Sequence, residues 1–204
     1  MKGWTKIPTI VVVAPENDSR LQAAYEAIGF WNQTFAEIET SFSLGSVMHT
    51  TETVSVDHLR MLSESLLNLG TLPDFPDNVQ KMQGDLIIVL SQGNFISFGV
   101  RSPTGEKALV GIKSQDLYPL TLPNVTRNVI AHEIGHVVGL RHNADPTKLM
   151  CGRPAPCRPN IFESEEAKIF PLTDEEKEIL KTMYPADWSP LINPSLSQSL
   201  FQDC

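Results

Sequence analysis

The chain has 204 residues, 41% of them hydrophobic, which supports one buried core rather than two domains. A formal net charge of −8 and a pI near 5.1 exclude the clustered Lys and Arg of a nucleic-acid footprint or a basic membrane-binding surface. No apolar run approaches the roughly 18 residues that a membrane-spanning helix needs.

Residues 7–14 form the first apolar stretch, after Lys2 and Lys6. Pro8 interrupts it, and the polar Glu16-Asn17-Asp18-Ser19-Arg20 follows without a small-residue cleavage site, so a first β-strand fits better than a signal peptide. Asn17, Asp18 and Ser19 then offer capping side chains to a long helix. Its Leu21, Ala24, Tyr25, Ile28, Trp31, Phe35 and Ile38 step by three and four and predict one apolar stripe, with Trp31 and Phe35 in the core.

Residues 41–53 alternate loosely, as a strand does. Leu59, Leu62, Leu66 and Leu69 recur at helical spacing over 57–69, and Gly70 is placed to stop that helix. Pro73 and Pro76 predict a loop over 71–84, leading into a strand at 85–91 built on Leu86-Ile87-Ile88-Val89-Leu90. Two further strands are expected at 95–100 and 108–113, joined by the turn Pro103-Thr104-Gly105. Pro119 and Pro123 predict no regular helix over 117–125, whereas the proline-free 126–139 reads as a helix. Near the C-terminus, Thr173 and Glu176 form a capping box for a helix whose buried face is Ile179, Leu180, Met183 and Tyr184. The composition turns polar beyond Pro185, which divides the chain into a domain at 1–185 and a loosely held tail at 186–204.

The most informative segment is His132-Glu133-Ile134-Gly135-His136-Val137-Val138-Gly139-Leu140-Arg141-His142. Residues four apart on a helix lie about 40° apart around its axis and roughly 6 Å along it, so His132 and His136 can grip one ion. In an unbroken helix His142 would point about 240° away, so the helix must end first, and Gly139 is the residue that can turn the chain back. Three imidazoles then hold a single Zn²⁺ and leave its fourth position for water, the arrangement of a catalytic rather than a structural site. Zinc brings the pKa of its water to about 7, and Glu133, next to His132, is placed to act as general base in hydrolysis. His49 and His58 stand apart from this group and read as ordinary surface or packing residues.

From the histidines onward the sequence resembles the metzincin metallopeptidases. The run from His142 through Asn143, Asp145 and Pro146 to Met150 looks like the matrixin branch, in which a third ligand, an Asp-Pro pair and a Met-turn methionine share this spacing. The resemblance implies an α+β metzincin-like domain. Its parts are a twisted, mostly parallel sheet, a long N-terminal helix, the zinc helix, and a C-terminal helix after the Met-turn. It implies a zinc endopeptidase acting on a protein or peptide substrate, with Met150 as the hydrophobic floor beneath the ligands. The outer strand, Phe95, Ile96, Ser97, Phe98, Gly99 and Val100, would bind substrate as an added strand. Residues 151–159 would wall the pocket for the residue that follows the scissile bond.

Two features depart from the matrixin pattern: Asn143 stands where a serine or threonine is usual, and the helix at 57–69 replaces a short connection. Nothing resembles a cysteine-switch prodomain, which implies a mature form or a different mode of regulation. Cys151 reads either as a partner of Cys157 in a loop disulfide or as a buried thiol, ahead of zinc ligation. A disulfide and the family likeness both favour secretion, and a monomer is expected. Two rival functions share the motif: a catalytically silent zinc module that binds peptides, and a zinc hydrolase of small amides or esters. The intact Glu133 weighs against the first, the expected extended cleft against the second.

Overall fold

The computed structural model describes residues 3–68, 74–153, 155, 157 and 159–191. Five strands form one sheet: β1 (Ile10–Val13), β2 (Val47–Thr50), β3 (Leu86–Leu90), β4 (Phe98–Arg101) and β5 (Ala108–Ile112), in the order β2-β1-β3-β5-β4. All neighbours are parallel except β4, which runs antiparallel to β5 along the outer edge. The helices are α1 (Leu21–Glu37), α2 (Val56–Asn68), α3 (Asp77–Lys81), α4 (Pro123–Val138) and α5 (Asp174–Met183), with a 3₁₀ turn at Pro159–Phe162. The architecture is α+β with a mostly parallel sheet.

The unbroken apolar runs of β1, β3 and β5 follow from burial on both faces of the sheet. On one face Ile10, Val12, Ile88, Val110 and Ile112 pack with Trp31 and Phe35 of α1 and Ile130 and Ile134 of α4. On the other, Val11, Ile87, Val89 and Leu109 meet Leu59 and Leu62 of α2 and Val79 of α3. The predicted stripe of the long helix is the core stripe at Ala24, Ile28, Trp31, Phe35 and Ile38, whereas Tyr25 faces outward and is exposed. Trp31 and Phe35 are fully buried, each contributing on the order of 2–3 kcal/mol by removal from water.

Several boundaries differ from the sequence expectation. The first two strands are shorter, Ile10–Val13 and Val47–Thr50. The loop expected over 71–84 contains α3, and Leu69 and Gly70 lie outside the described residues. α4 starts at Pro123 rather than at 126, because a proline in the first helical turn has no N–H to waste and its fixed φ already suits the helix. The N-cap of α1 is Arg20, without a side-chain cap. Asp18 is used differently: its carboxylate accepts from the Arg20 backbone N–H at 2.9 Å and from the Arg20 guanidinium at 2.6 and 2.9 Å. That guanidinium also donates to the carbonyls of Leu90, Ser91 and Lys113, tying together the ends of β3 and β5.

The predicted capping box is present at α5. Thr173 accepts from the Glu176 N–H at 3.1 Å, and the Glu176 carboxylate accepts from the Thr173 N–H at 2.8 Å. Beyond α5, the Trp188 ring packs on Phe42 with centroids 5.0 Å apart, and the Leu191 N–H donates to Thr5 at 2.8 Å. Residues 192–204 lie outside the described residues. Among the described residues, no helix is long and apolar enough to cross a membrane.

Candidate metal centre and cleft

α4 carries His132, Glu133 and His136, and its orientation is fixed from two sides. Trp31 of α1 donates its indole N–H to the Ala131 carbonyl at 2.9 Å, and Trp4 donates to the Val137 carbonyl at 3.1 Å. The helix ends where the sequence demands, at Gly139, which takes φ 116° and ψ 2° in the left-handed region. A Cβ there would also lie 2.4 Å from the Met183 sulfur, at the end of a flexible side chain, so it is the backbone conformation that requires glycine. The chain then reverses and returns His142 to the first two imidazoles.

The three rings lie with centroids 4.6 to 5.2 Å apart, and a donor atom from each falls within 4.8 Å of the others. Each ring uses its Nδ1 elsewhere: His132 on the Leu149 carbonyl at 2.7 Å, His136 on that of Leu140 at 3.0 Å, and His142 on that of Arg153 at 3.0 Å. A carbonyl only accepts, so each Nδ1 carries the hydrogen and each Nε2 presents a lone pair to the common centre. The Nε2 atoms of His136 and His142 are 3.0 Å apart. Two lone pairs facing each other at that distance repel unless they share a cation.

Burial holds the His132 and His136 imidazoles well below their ordinary pKa, at about 3 and about 4, with the neighbouring imidazoles adding to the effect. Burial lowers His142 as well. A proton is therefore a poor occupant of the centre. Zinc–nitrogen bonds of about 2.0–2.1 Å set tetrahedral ligand atoms roughly 3.3 Å apart, inside the observed spread. The three-histidine cluster fits one zinc ion.

Glu133 lies beside the cluster. Burial pushes its carboxyl up to about 8, a shift partly offset by a hydrogen bond from the Gly99 N–H of β4. β4 approaches α4 closely at this point, since a Cβ on Gly99 would lie 2.0 Å from the Glu133 carbonyl oxygen. Met150 is fully buried, with its sulfur against Gly135, between the two helical histidines in sequence. Cys151 and Cys157 are joined as a disulfide.

The segment expected as one outer strand divides in two. Phe98, Gly99 and Val100 belong to the edge strand β4, whereas Phe95, Ile96 and Ser97 precede it. The reason is α2: the Ser63 hydroxyl bonds both the N–H and the carbonyl of Ile96, at 3.2 and 2.9 Å, and so takes the backbone groups a strand would use. His49 bonds the Ala14 carbonyl at 2.9 Å, and His58 is exposed on α2. Both stand outside the cluster.

Sequence reading missed three residues that shape the centre. A Cβ on Gly152 would lie 2.3 Å from the His142 ring, so that glycine makes room for the third imidazole. Asn143 donates to the Glu176 carboxylate at 2.7 Å, which ties the segment after His142 to the α5 cap. Ser63 fixes the approach to β4. A glycine beside a cysteine and a departure from a family pattern were the only available signals for the first two. Ser63 had none.

The cluster and Glu133 open onto a cleft of about 530 Å³, bounded by β4 on one side and by the segment around Cys151, Cys157 and Phe162 on the other. No protein-family model and no curated protein matches the sequence. Among solved structures, the chain is similar to an archaemetzincin from Methanopyrus kandleri, at 18% identity over 88% of this chain and 96% of that one, with a TM-score of 0.51. At that identity the likeness is one of fold: this α+β arrangement of a mostly parallel five-stranded sheet and helices is shared with archaemetzincin.

Proposed function

We infer that the protein is a zinc-dependent endopeptidase of metzincin type. The observation that carries this reading is the convergence of three lone-pair-bearing imidazole nitrogens on one point of an open cleft, with Glu133 on the adjacent helical position. His132, His136 and His142 would hold the ion, which when bound supplies Lewis acidity to polarise a peptide carbonyl and acidify water. Glu133, ionised beside the cation, receives the proton of the attacking water and passes it to the departing amine. The carbonyls of Leu149, Leu140 and Arg153 keep the three imidazoles in the Nε2-presenting tautomer.

The finer assignments belong to the same proposal. Met150 serves as a Met-turn residue under the histidines, supported by its buried contact with Gly135. The run from His142 to Met150 supports a reading in the matrixin branch. The outer edge of β4 would pair with an extended peptide through Phe98, Val100 and the Gly99 carbonyl, since the Gly99 N–H is taken by Glu133, with Ile96, 48% exposed, beside them. Phe95 and Ser97 support that edge from beneath: Phe95 packs on Phe98, and the Ser97 hydroxyl accepts from the Lys113 N–H at 3.2 Å. The catalytic unit spans 1–185 and acts as a secreted monomer, with Cys151, Gly152, Arg153, Cys157 and Pro159 walling the cleft.

Casein cleavage by wild type, by Glu133→Ala and by chelator-treated protein tests the reading. Turnover is expected in wild type alone. One bound zinc without turnover would favour the peptide-binding module, and activity limited to small esters would favour the small-molecule hydrolase.

A further inference from the structure

Lys113 follows the last residue of β5 and lines the same cleft as the three histidines. Its backbone is held on both sides. The N–H donates to the Ser97 hydroxyl at 3.2 Å, and the carbonyl accepts from the buried Arg20 guanidinium at 3.0 Å. Yet among the described residues its ammonium has no hydrogen-bond or ion-pair partner. Lys107 shows the contrast: its ammonium, also partly buried, donates to the carbonyls of Val79 and Met82. Burial lowers the Lys113 pKa, and no neighbouring carboxylate acts against that shift.

The surroundings favour an anion. Leu120, Val129 and Phe162 give the same cleft an apolar lobe, with Val129 one helical turn before His132 on α4. The Phe162 ring lies 6.4 Å from that of His132, so the lobe adjoins the metal centre. The described residues lining the cleft include Lys113 and Arg153 as cations and Glu133 as the one carboxylate, in a chain whose net charge is −8. An ammonium desolvated by apolar walls gains most from a carboxylate that enters with the ligand, because a neutral isostere leaves the charge unpaired.

We propose that Lys113 makes this lobe select peptides carrying an aspartate or glutamate next to the scissile bond, with its ammonium as the counter-ion of the substrate carboxylate. The proposal rests on the endopeptidase reading. It gives an acidic protein a locally positive subsite, on a backbone fixed by Ser97 and Arg20.

The probes are neutral decapeptides in which Glu, Gln, Leu or Lys is scanned through the positions around one cleavable bond. They are tested for cleavage by the zinc-loaded protein and for binding to zinc-loaded Glu133→Gln by fluorescence anisotropy. Glu is expected to exceed Gln roughly tenfold in kcat/KM and in affinity at one position adjacent to the bond. Lys113→Met should abolish that preference and Lys113→Glu should invert it toward Lys. Cleavage with no acidic preference, or a preference unchanged in both Lys113 variants, overturns the proposal and leaves the endopeptidase reading standing. Binding that favours Glu and depends on Lys113, without cleavage of any peptide, supports the subsite and overturns the endopeptidase reading. Equal binding of all four peptides with no cleavage overturns both.

Discussion

Trp31 of α1 and Ala131 of α4 are joined by a 2.9 Å hydrogen bond from indole N–H to backbone carbonyl, one residue ahead of the first imidazole of the metal centre. The same ring lies 3.0 Å from where a Cβ on Gly135 would sit, so the helix rests directly on the indole. Core packing and site geometry meet in this one side chain.

Trp31→Phe should therefore cost stability before it costs metal. The substitution removes part of a fully buried ring and leaves one accepted hydrogen bond fewer, for a loss of about 2–3 kcal/mol. At roughly 2–4 °C per kcal/mol for a chain of this size, the thermal midpoint should fall by about 5–10 °C. Zinc content, measured on the folded protein at 20 °C, should stay at one per chain. An unchanged midpoint would show that α4 is held by other contacts.

Two glycines in different settings give opposite expectations. Gly139 sits at φ 116° with the Met183 sulfur 2.4 Å from the site of any Cβ, whereas Gly29 lies inside α1 with nothing within 4 Å. Gly139→Ala should destabilise by more than about 1 kcal/mol and weaken zinc binding at least tenfold, because the turn that returns His142 is displaced. Gly29→Ala should stabilise by about 0.5–1 kcal/mol through helix propensity and leave zinc binding alone. Urea midpoints and competitive zinc titration of the two variants read both effects. Equal zinc affinity in Gly139→Ala and wild type would sever the link between the glycine and the third imidazole.

What the sequence makes legible is local chemistry, and what it hides is long-range contact. The i, i+4 pair His132 and His136, the break at Gly139 and the Thr173–Glu176 box are each specified within a few residues, and each is present in the structure. The outer strand starts three residues later than its apolar run predicts, because its start is decided by Ser63, 33 positions away in the chain. The start of α4 at Pro123 was hidden by a general rule against helical proline that does not apply to the first turn. The carbonyls of Leu149 and Arg153, which orient two of the imidazoles, belong to backbone whose side chains give no sign of that use.

The buried pair of Asp18 and Arg20 predicts an acid limb. Burial raises the Asp18 carboxyl pKa, but the hydrogen bonds and charge of Arg20 outweigh it and hold the group below its ordinary value. A depressed carboxylate contributes stability above its unfolded pKa of about 3.9, and loses it as the pH falls through the folded value. Asp18→Asn should cost about 3–5 kcal/mol at pH 7, since it leaves a buried guanidinium without its counter-ion. The gap between the two proteins should narrow steadily below pH 4. Urea midpoints from pH 7 to pH 2.5 measure it, and a constant gap would mean that packing, not charge, makes Asp18 matter.

Glu133 predicts a limb of the opposite sign. Burial raises its carboxyl pKa from 4.5 to about 8, and the Gly99 N–H only partly offsets this. Between those values the folded protein keeps a proton that the unfolded chain has released, so stability declines as the pH rises across the window. In chelator-treated protein the three histidines, lowered by burial, act in the opposite sense until the unfolded chain has lost their protons near pH 6.5, so the wild-type thermal midpoint should fall only from pH 7 to pH 8.5. Glu133→Gln has no group to titrate there, so its profile should lack that fall and lie higher at pH 8 by on the order of 5 °C. Adding zinc should bring the two profiles together, because the cation favours the ionised carboxylate that burial disfavours. If metal-free wild type and Glu133→Gln melt alike at pH 8, the carboxyl is solvated in solution and is an ordinary anion even without the cation.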